Sequence, residues 1–335
     1  MVRVEFCSNT MSISALMSFF RSSPSGRILV ISGAGVSTKS GIPDYRSPGR
    51  PLYKPLQHVD FIQKESVRRR YWARSFVGYS LMAEAKPNAA HISLAHLEKL
   101  GLIDCGLITQ NVDRLHQRAG SKDVLELHGT VMEVECMKCK SLCSRSAVQE
   151  KMTRENEKWE GLLPSSSRSR AGASETLGML PPPESPSSLA RHSSRPDGDV
   201  ELDALDLYDP FIVPTCDSCG EAMLRPRVVF HGGNVEVAVA ANAKKRAEDC
   251  SGVLIVGSTL STFSAYRLVR DISLKGRPIA ILNRGSTRGD EHSTLRISED
   301  IGEVLSQLVN EITMGSSAKL QMPLTSEGKT QSINQ

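Results

Sequence analysis

The chain has 335 residues, 39% of them hydrophobic, 5% aromatic and 23% charged, with 41 basic against 37 acidic side chains. That is a globular composition, at a length suited to about two domains, or to one α/β domain of about 250 residues carrying an insertion. No stretch approaches the ~18 uninterrupted apolar residues of a bilayer crossing, which excludes a membrane span. The net charge of +4, with no basic block beyond the three arginines at 68–70, gives no reason to infer direct nucleic-acid binding.

The first 25 residues contain Arg3, Arg21, many serines and a single acid, Glu5. Mitochondrial transit segments and loose termini share that composition. From Arg27, RILVISG reads as a buried strand running into the glycine-rich GAGVSTKSGIPDYR. Strand, glycine turn and helix is the architecture of a nucleotide site. Residues 50–82 give mixed signals, among them Tyr53, Phe61, Tyr71, Trp72, Phe76 and Tyr79. A helix packed on a sheet is predicted from Pro87, with apolar residues at Ile92, Leu94, Leu97 and Leu100 and Gly101 at its end.

Short apolar runs occur next at 105–108, 228–230, 253–256 and 279–282, the last three separated by helix-compatible segments at 236–249 and 264–273. This alternation predicts an α/β protein with a parallel, doubly wound sheet, closed by a helix near 300–312. Between 164 and 199, ten of 36 residues are serine and six are proline. Such a segment buries too little apolar surface to offset its conformational entropy and reads as a disordered insertion. The polar tail at 315–335 reads as loose.

Gly33 and Gly35 allow a phosphate to approach backbone N–H groups. Thr38 stands where a dinucleotide fingerprint has its third glycine, and no acid occurs about 20 residues on, which disfavours a hydride-transfer dehydrogenase. The chain continues instead into Gly41-Ile42-Pro43-Asp44-Tyr45-Arg46, a proline turn presenting an acid and an arginine. Thr109-Gln110-Asn111-Val112-Asp113-Arg114-Leu115-His116 succeeds a predicted strand, so its polar groups sit at a strand's carboxyl end, where ligands bind in open α/β sheets. Fifteen residues past Asp113 comes His128, with Gly129 after it, a candidate general base because its pKa lies near neutrality. Of eight cysteines, Cys136/Cys139 and Cys216/Cys219 form two C-x-x-C pairs, the donor set of a closed, structural zinc site. Cys7, Cys105, Cys143 and Cys250 are left over, and Cys143 is a rival ligand.

Taken together, GAGVSTKSGIPDYRS, TQNVDRLHQRAG, ELHGT, the two cysteine pairs, RPRVVFHGG, VGSTL and ILN occur in the order found in sirtuins. The chain resembles that family of NAD-dependent protein-lysine deacylases from about residue 27 to 309, apart from the serine/proline insertion. PDYRS, RYWARSFVGY and PIAILNRG look nearest to the mitochondrial class that includes the human sirtuin 4 type.

The resemblance implies a Rossmann-like domain at 26–130 and 226–314 and a zinc-binding module at 131–225 interrupted by the insertion. Residues 45–85 would form the cofactor loop and the helical part of the small lobe. NAD, the co-substrate, would lie in the cleft between the lobes. Its site would include Gly33, Ala34, Gly35, Ser37, Ile42, Tyr45 and Tyr53, with Arg46 near the phosphates and Asp44 near the nicotinamide amide. Gln110, Asn111, Val112 and Asp113 would hold the nicotinamide ribose. Gly257, Ser258, Thr259, Asn283, Arg284, Gly285 and Ile301 would contact the adenosine half.

In the implied reaction the acyl-lysine carbonyl oxygen attacks the ribose carbon as nicotinamide leaves. His128, supported by Asn111 and Asp113, then takes a proton from a ribose hydroxyl, and the acyl group ends on ADP-ribose. Acyl-lysine proteins would pair along Val229, Phe230, His231 and Gly232, where His231 and Gly233 depart from the family's usual residues. A mono-ADP-ribosyltransferase using the same NAD site is the alternative activity. The implied location is the mitochondrial matrix, with cytoplasm or nucleus as alternatives. Tyr71 and Arg74 have the Y-x-x-R spacing with which desuccinylating members hold an acidic acyl group, in surroundings that match the other mitochondrial class, so the acyl preference stays open.

Overall fold

The computed structural model describes residues 4–6, 9–22, 27–46, 55–162, 195–200 and 208–320. Strands β1 (Val4–Phe6), β2 (Ile28–Ser32), β3 (Leu107–Thr109) and β4 (Val124–Glu126) precede a smaller lobe made from β5 (Gly129–Cys136), β6 (Leu142–Ser144) and β7 (Leu224–Val228). The chain then returns through β8 (Gly252–Val256), β9 (Ile279–Leu282) and β10 (Leu295–Ile297). The large sheet has the order β1-β10-β9-β8-β2-β3-β4, and every pairing in it is parallel. Strands β2, β8 and β9 are buried at every position, as a parallel sheet covered on both faces requires.

The covering helices divide cleanly. On one face lie α1 (Asn9–Ser22), α4 (Ala89–Lys99) and α9 (Ile301–Leu320), contributing Leu16, Phe19, Leu94, Leu97, Leu305 and Leu308 to one core. On the other lie α7 (Val237–Asp249) and α8 (Phe263–Leu274), through Ala243, Ala247, Leu268 and Ile272. Helix α4 starts on a capping box in which Asn88 accepts from the backbone N–H of Ala90 and His91 accepts from that of Asn88. From β2 the chain moves outward to β3 and β4 on one side and later returns to β8 on the other. This makes the carboxyl ends of β2 and β8 the switch point, where a doubly wound sheet opens a crevice.

The smaller lobe is a three-stranded antiparallel sheet, β6-β5-β7, joined by α2 (His58–Gln63), α3 (Glu65–Glu84) and α6 (Arg145–Glu155). Its core gathers Phe61, Trp72, Phe76, Val134, Met152 and Phe211, and the Trp72 indole donates to the Leu224 carbonyl at 3.2 Å. Of the run expected at 228–230 as a strand of the parallel sheet, Val228 is the last residue of β7, in the other sheet, and 229–230 lie just past the end of that strand. Pro226 sits within it, as an edge strand permits. The three arginines at 68–70 are not a surface patch, because Arg68 is buried and donates to the carbonyls of Phe61 and Ile62 at the end of α2.

Three segments expected to be loose are built into the fold where they are described. Residues 9–22 form α1, whose Ile13, Leu16, Phe19 and Phe20 are buried, and Ser12 donates to Glu299 at 2.5 Å. Helix α9 runs to Leu320, six residues into the expected tail. At the far end of the serine/proline segment, Asp199 pairs with Arg74 and Arg195 and Val200 joins the small-lobe core. Residues 163–194 and 321–335 lie outside the described residues. Since Phe19 is 5% exposed, Phe19→Ala should destabilise the protein by about 3–5 kcal/mol. A shift in the denaturant midpoint would report that loss, whereas a loose N-terminus would leave the midpoint unmoved.

Candidate active site

The crevice is shaped first by backbone. Past β2, Gly33 donates to the Val256 carbonyl at 3.1 Å and Gly35 to that of Gly257 at 2.9 Å. A Cβ on Gly35 would stand 2.9 Å from the Gly257 oxygen, and one on Gly257, whose φ is +59°, would stand 2.6 Å from the Val36 nitrogen. No side chain fits between these turns, so the ends of β2 and β8 meet main chain to main chain. The glycine turn does not open an α-helix. Residues Ala34–Val36 and Thr38–Ser40 are single 3-10 turns, and the second ends on Gly41 at φ 86°. The helical continuation is pre-empted by Asn88, whose side chain donates to the Val36 carbonyl at 2.8 Å and the Ser40 hydroxyl at 2.9 Å. Pro43 comes shortly after.

Ser37, between the two turns, is almost fully buried. Its hydroxyl donates to Asp113 Oδ2 at 2.7 Å and accepts from Asn111 Nδ2 at 3.0 Å, with His91 Nε2 at 3.4 Å. Asp113 Oδ1 accepts from the Leu115 N–H at 2.9 Å. Burial pushes Asp113 above the usual carboxylate range, opposed by these hydrogen bonds. Behind them His116 Nε2 lies 2.8 Å from the Ser32 hydroxyl, which donates to Thr109 Oγ1. Burial lowers His91 to about 4 and, with His91 as a smaller cause, His116 to about 3. Both rings are therefore neutral at physiological pH and act as hydrogen-bonding supports. Ile42 and Val112 pack with Leu115 and Val131 beneath this network.

His128 is half-buried just before β5. Its Nδ1 lies 3.2 Å from the Gln110 carbonyl and its Nε2 2.8 Å from the Ser264 hydroxyl. A carbonyl only accepts, so Nδ1 carries the proton and Nε2 presents its lone pair to Ser264. Burial lowers the His128 pKa below its ordinary value, partly offset by the Gln110 carbonyl. Gln110 is itself fixed by bonds to Ser258 Oγ at 2.7 Å and from Thr262 Oγ1 at 3.1 Å.

Arg46 reaches back across the crevice to Thr259 Oγ1 at 2.7 Å and to the Ser261 hydroxyl. Asp44 Oδ1 accepts from the Arg46 N–H at 3.2 Å, and Tyr45 is exposed. At the end of β9, Asn283 donates to the carbonyls of Arg284 and Gly285, while Arg284 is 3.5 Å from Asp300 just before Ile301 opens α9. The structure thus brings the predicted groups to the carboxyl ends of β2, β3, β8 and β9. Tyr53 lies outside the described residues. Ser264, His91 and Asn88 are participants that sequence reasoning missed. Asn88 carried a signal as an N-cap residue, whereas Ser264 read as an ordinary helix residue.

Val229 to Gly232 run beside this crevice. The Val229 N–H donates to the His128 carbonyl at 3.0 Å and the His231 carbonyl accepts from His58 at 2.9 Å. Phe230 is buried against Phe61 and Tyr71, with ring centroids 4.7 and 5.5 Å away. His231 and Gly232 are exposed.

In the small lobe, Cys136, Cys139, Cys216 and Cys219 bring their sulfurs within 4.8 Å of one another. Cys136 and Cys219 are 3.7 Å apart, Cys139 and Cys216 3.6 Å. A tetrahedral zinc with Zn–S bonds near 2.3 Å needs sulfurs about 3.8 Å apart, so the four fit one zinc. The two pairs sit in matching turns. Lys140 donates to the Cys136 carbonyl and Gly220 to that of Cys216, both in the left-handed region at φ 64° and 74°. Cys143, the rival, lies on β6 opposite Val134 and is not a member of the cluster.

Comparisons with known proteins agree with this geometry. The model of the Sir2 family matches residues 33–264. A deacylase of Monosiga brevicollis, "NAD-dependent protein deacylase SIR4", is 39% identical over 287 residues, covering 85% of each chain. Human "NAD-dependent protein lipoamidase sirtuin-4, mitochondrial" is 39% identical over 286 residues, covering 84% of this chain and 81% of its own. An NAD-dependent protein deacetylase of Bordetella bronchiseptica is also 39% identical, covering 85% and 94%. Among solved structures, a Sir2 with p53 peptide and NAD superposes with a TM-score of 0.65 at 28% identity, covering 90% of this chain and 99% of that one. The chain belongs to the Sir2 family.

Proposed function

We propose that the chain is an NAD-dependent protein-lysine deacylase that moves the acyl group from lysine to ADP-ribose and releases nicotinamide. The observation that carries this reading is His128. Its Nδ1 proton is held by the Gln110 carbonyl, its Nε2 is free of a proton, and it stands at the switch-point crevice beside the Ser37, Asn111 and Asp113 network. Nε2 accepts the proton of a ribose hydroxyl once that hydroxyl takes the place of Ser264, and the oxygen so released attacks the acyl carbon. Asn111, Asp113 and Gln110 hold the nicotinamide ribose and Arg46 the phosphates, while Asn283 to Gly285 and Ile301 bound the adenosine end. Most of the rate comes from positioning, because the developing charge is on the sugar. The substrate peptide lies along Phe230 to Gly232, and the four cysteines hold one zinc that closes the small lobe.

A mitochondrial location is supported by the names of the human and cattle relatives, while bacterial relatives are as similar. Imaging of the tagged full chain against a matrix marker tests it.

Incubation with NAD and acyl-lysine peptides should give free lysine peptide and O-acyl-ADP-ribose. ADP-ribosylated protein without deacylation would instead support the ribosyltransferase. His128→Tyr should reduce turnover by at least ~100-fold with zinc content unchanged, and undiminished activity would defeat the mechanism. Because burial holds His128 below its ordinary value of 6.5, the base stays neutral to lower pH. The acid limb of kcat/KM is therefore expected to have its midpoint below 6.5, and a midpoint above it would contradict the assigned environment. Metal analysis should find one zinc per chain in wild type and in Cys143→Ser, and loss of it in Cys139→Ser.

A further inference from the structure

Arg296 is a buried cation that the packing of its strand does not call for. Strand β10 lies inside a parallel sheet covered on both faces, where apolar side chains are expected. Leu295 and Ile297 meet that expectation by joining the core under α1, α4 and α9. Side chains alternate along a strand, so Arg296 faces the opposite side, in register with Ile281 of β9, and it is only 4% exposed. Burying a guanidinium is costly unless its donors are used. Here all of them are directed at one loop.

That loop follows β9. Arg296 Nη1 donates to the Asn283 carbonyl at 3.2 Å and Nη2 to the Gly285 carbonyl, while Nε faces Asp290 Oδ1 at 3.5 Å. Asp290 in turn accepts from the Thr287 N–H at 3.1 Å and from the Thr287 hydroxyl at 2.6 Å. One guanidinium thus reaches residues 283 and 285 directly and residue 287 through a carboxylate. The Arg284 carbonyl, between the first two, accepts from Asn283 Nδ2 at 2.7 Å. Backbone bonds hold only the flanks, from the Asn283 N–H to the Ile297 carbonyl and from the Arg288 N–H to the Thr259 carbonyl, both at 3.0 Å. The Arg284 side chain meets Asp300 at 3.5 Å but is exposed, and a solvated pair of that kind holds a loop weakly. The shape of residues 283–287 therefore depends on Arg296, and on its fork of divergent donors, which a lysine ammonium does not reproduce.

Resting on the deacylase reading, we propose that Arg296 is a positioning residue for the co-substrate: by drawing the carbonyls of Asn283 and Gly285 inward, it holds the loop in the shape that receives the adenosine half of NAD. It acts through the loop and not by contact with the nucleotide. The adenosine half is remote from the bond that breaks, so its contacts are the same in the ground state and the transition state. Their loss weakens binding and leaves the chemical step unchanged.

The test uses the full chain and the variant Arg296→Met, which keeps a long apolar side chain and removes the donors. The KM for NAD should rise about tenfold, as the loss of charged hydrogen bonds to two carbonyls implies. The kcat at saturating NAD and the KM for the acyl-lysine peptide should each change by less than about twofold. A merely structural role would lower the amount of active enzyme, and with it the apparent kcat, while leaving KM alone. Calorimetric titration with ADP-ribose should show the same loss of about tenfold. Arg296→Lys keeps the charge without the fork and should fall between, at about threefold. Unchanged KM and ADP-ribose affinity in Arg296→Met, or a loss confined to kcat, overturns the proposal. Removing a buried cation can prevent folding, in which case Arg296→Lys decides, and wild-type affinity in it overturns the proposal. The titration needs no turnover. A wild type that binds ADP-ribose but deacylates no peptide refutes the deacylase reading while the affinity ratio still decides the role of Arg296, and a wild type that does not bind ADP-ribose overturns both.

Discussion

The Ser37 hydroxyl has one proton to donate and two lone pairs to offer, and with Asp113, Asn111 and His91 around it all three are committed. The four residues come from three parts of the chain: Ser37 from the glycine turn, Asn111 and Asp113 from the loop after β3, and His91 from the first turn of α4. Their convergence fixes the distance between the glycine turn and the loop after β3. It also fixes protonation. His91 Nδ1 accepts from the Asn88 N–H, so Nε2 is the donor toward Ser37, and the ring must be neutral to do both. A charged His91 would lose its half of the capping box of α4, and the burial that holds it near 4 is what prevents this. A buried polar network satisfied in this way specifies one arrangement, whereas a half-satisfied one would leave several.

The second constraint is the backbone contact of Gly35 with Gly257. It depends on the absence of atoms, since the turn and the end of β8 approach only because neither carries a Cβ. Gln110 completes the frame by bonding to Ser258 on one side while its own carbonyl holds His128 on the other. One side chain and its main chain therefore join the loops after β3 and β8 to His128. Displacement of β8 relative to β3 would move His128 as well, which is how a site spread over four strand ends behaves as a unit.

What was legible in the sequence was chemistry tied to residue type. Asp44, Arg46, Asn111, Asp113, His128 and the two cysteine pairs could be singled out because few residue types carry such chemistry and the spacing within each motif is local. Tertiary placement was less legible. Helix α3 gave mixed signals because Tyr71 to Val77 are all buried, and a helix covered on nearly all sides shows no polar stripe. The N-terminal helix carried its pattern openly, with Ile13, Leu16 and Phe20 three and four residues apart, under a serine-rich composition that suggested looseness. The 228–230 run was apolar as a strand should be, but membership of one sheet or another is decided by partners, and only Pro226 hinted at an edge. Ser264 could not be found at all, since a serine in the first turn of a helix is common and its bond to His128 exists only because α8 begins where β5 begins.

The segment between the cysteine pairs shows how an insertion of this length is tolerated. Cys139 and Cys216 are 77 positions apart in sequence and 3.6 Å apart at sulfur, so the loop leaves and re-enters the lobe at one point. Closing a longer loop adds only about 0.6 kcal/mol per doubling of its length, and the four thiolates fix its ends whatever its middle does. The return path is not passive. Between residues 195 and 200 it lays a buried carboxylate against Arg74 and inserts Val200 into the small-lobe core, and Asn156 receives the chain again through the Ile212 N–H and carbonyl. Buried ion pairs contribute little net stability because desolvation consumes most of the Coulomb attraction. The Arg74 and Asp199 pair is therefore better understood as fixing the path of the returning chain than as holding the lobe together, a task that Trp72, Phe76 and Phe211 already perform.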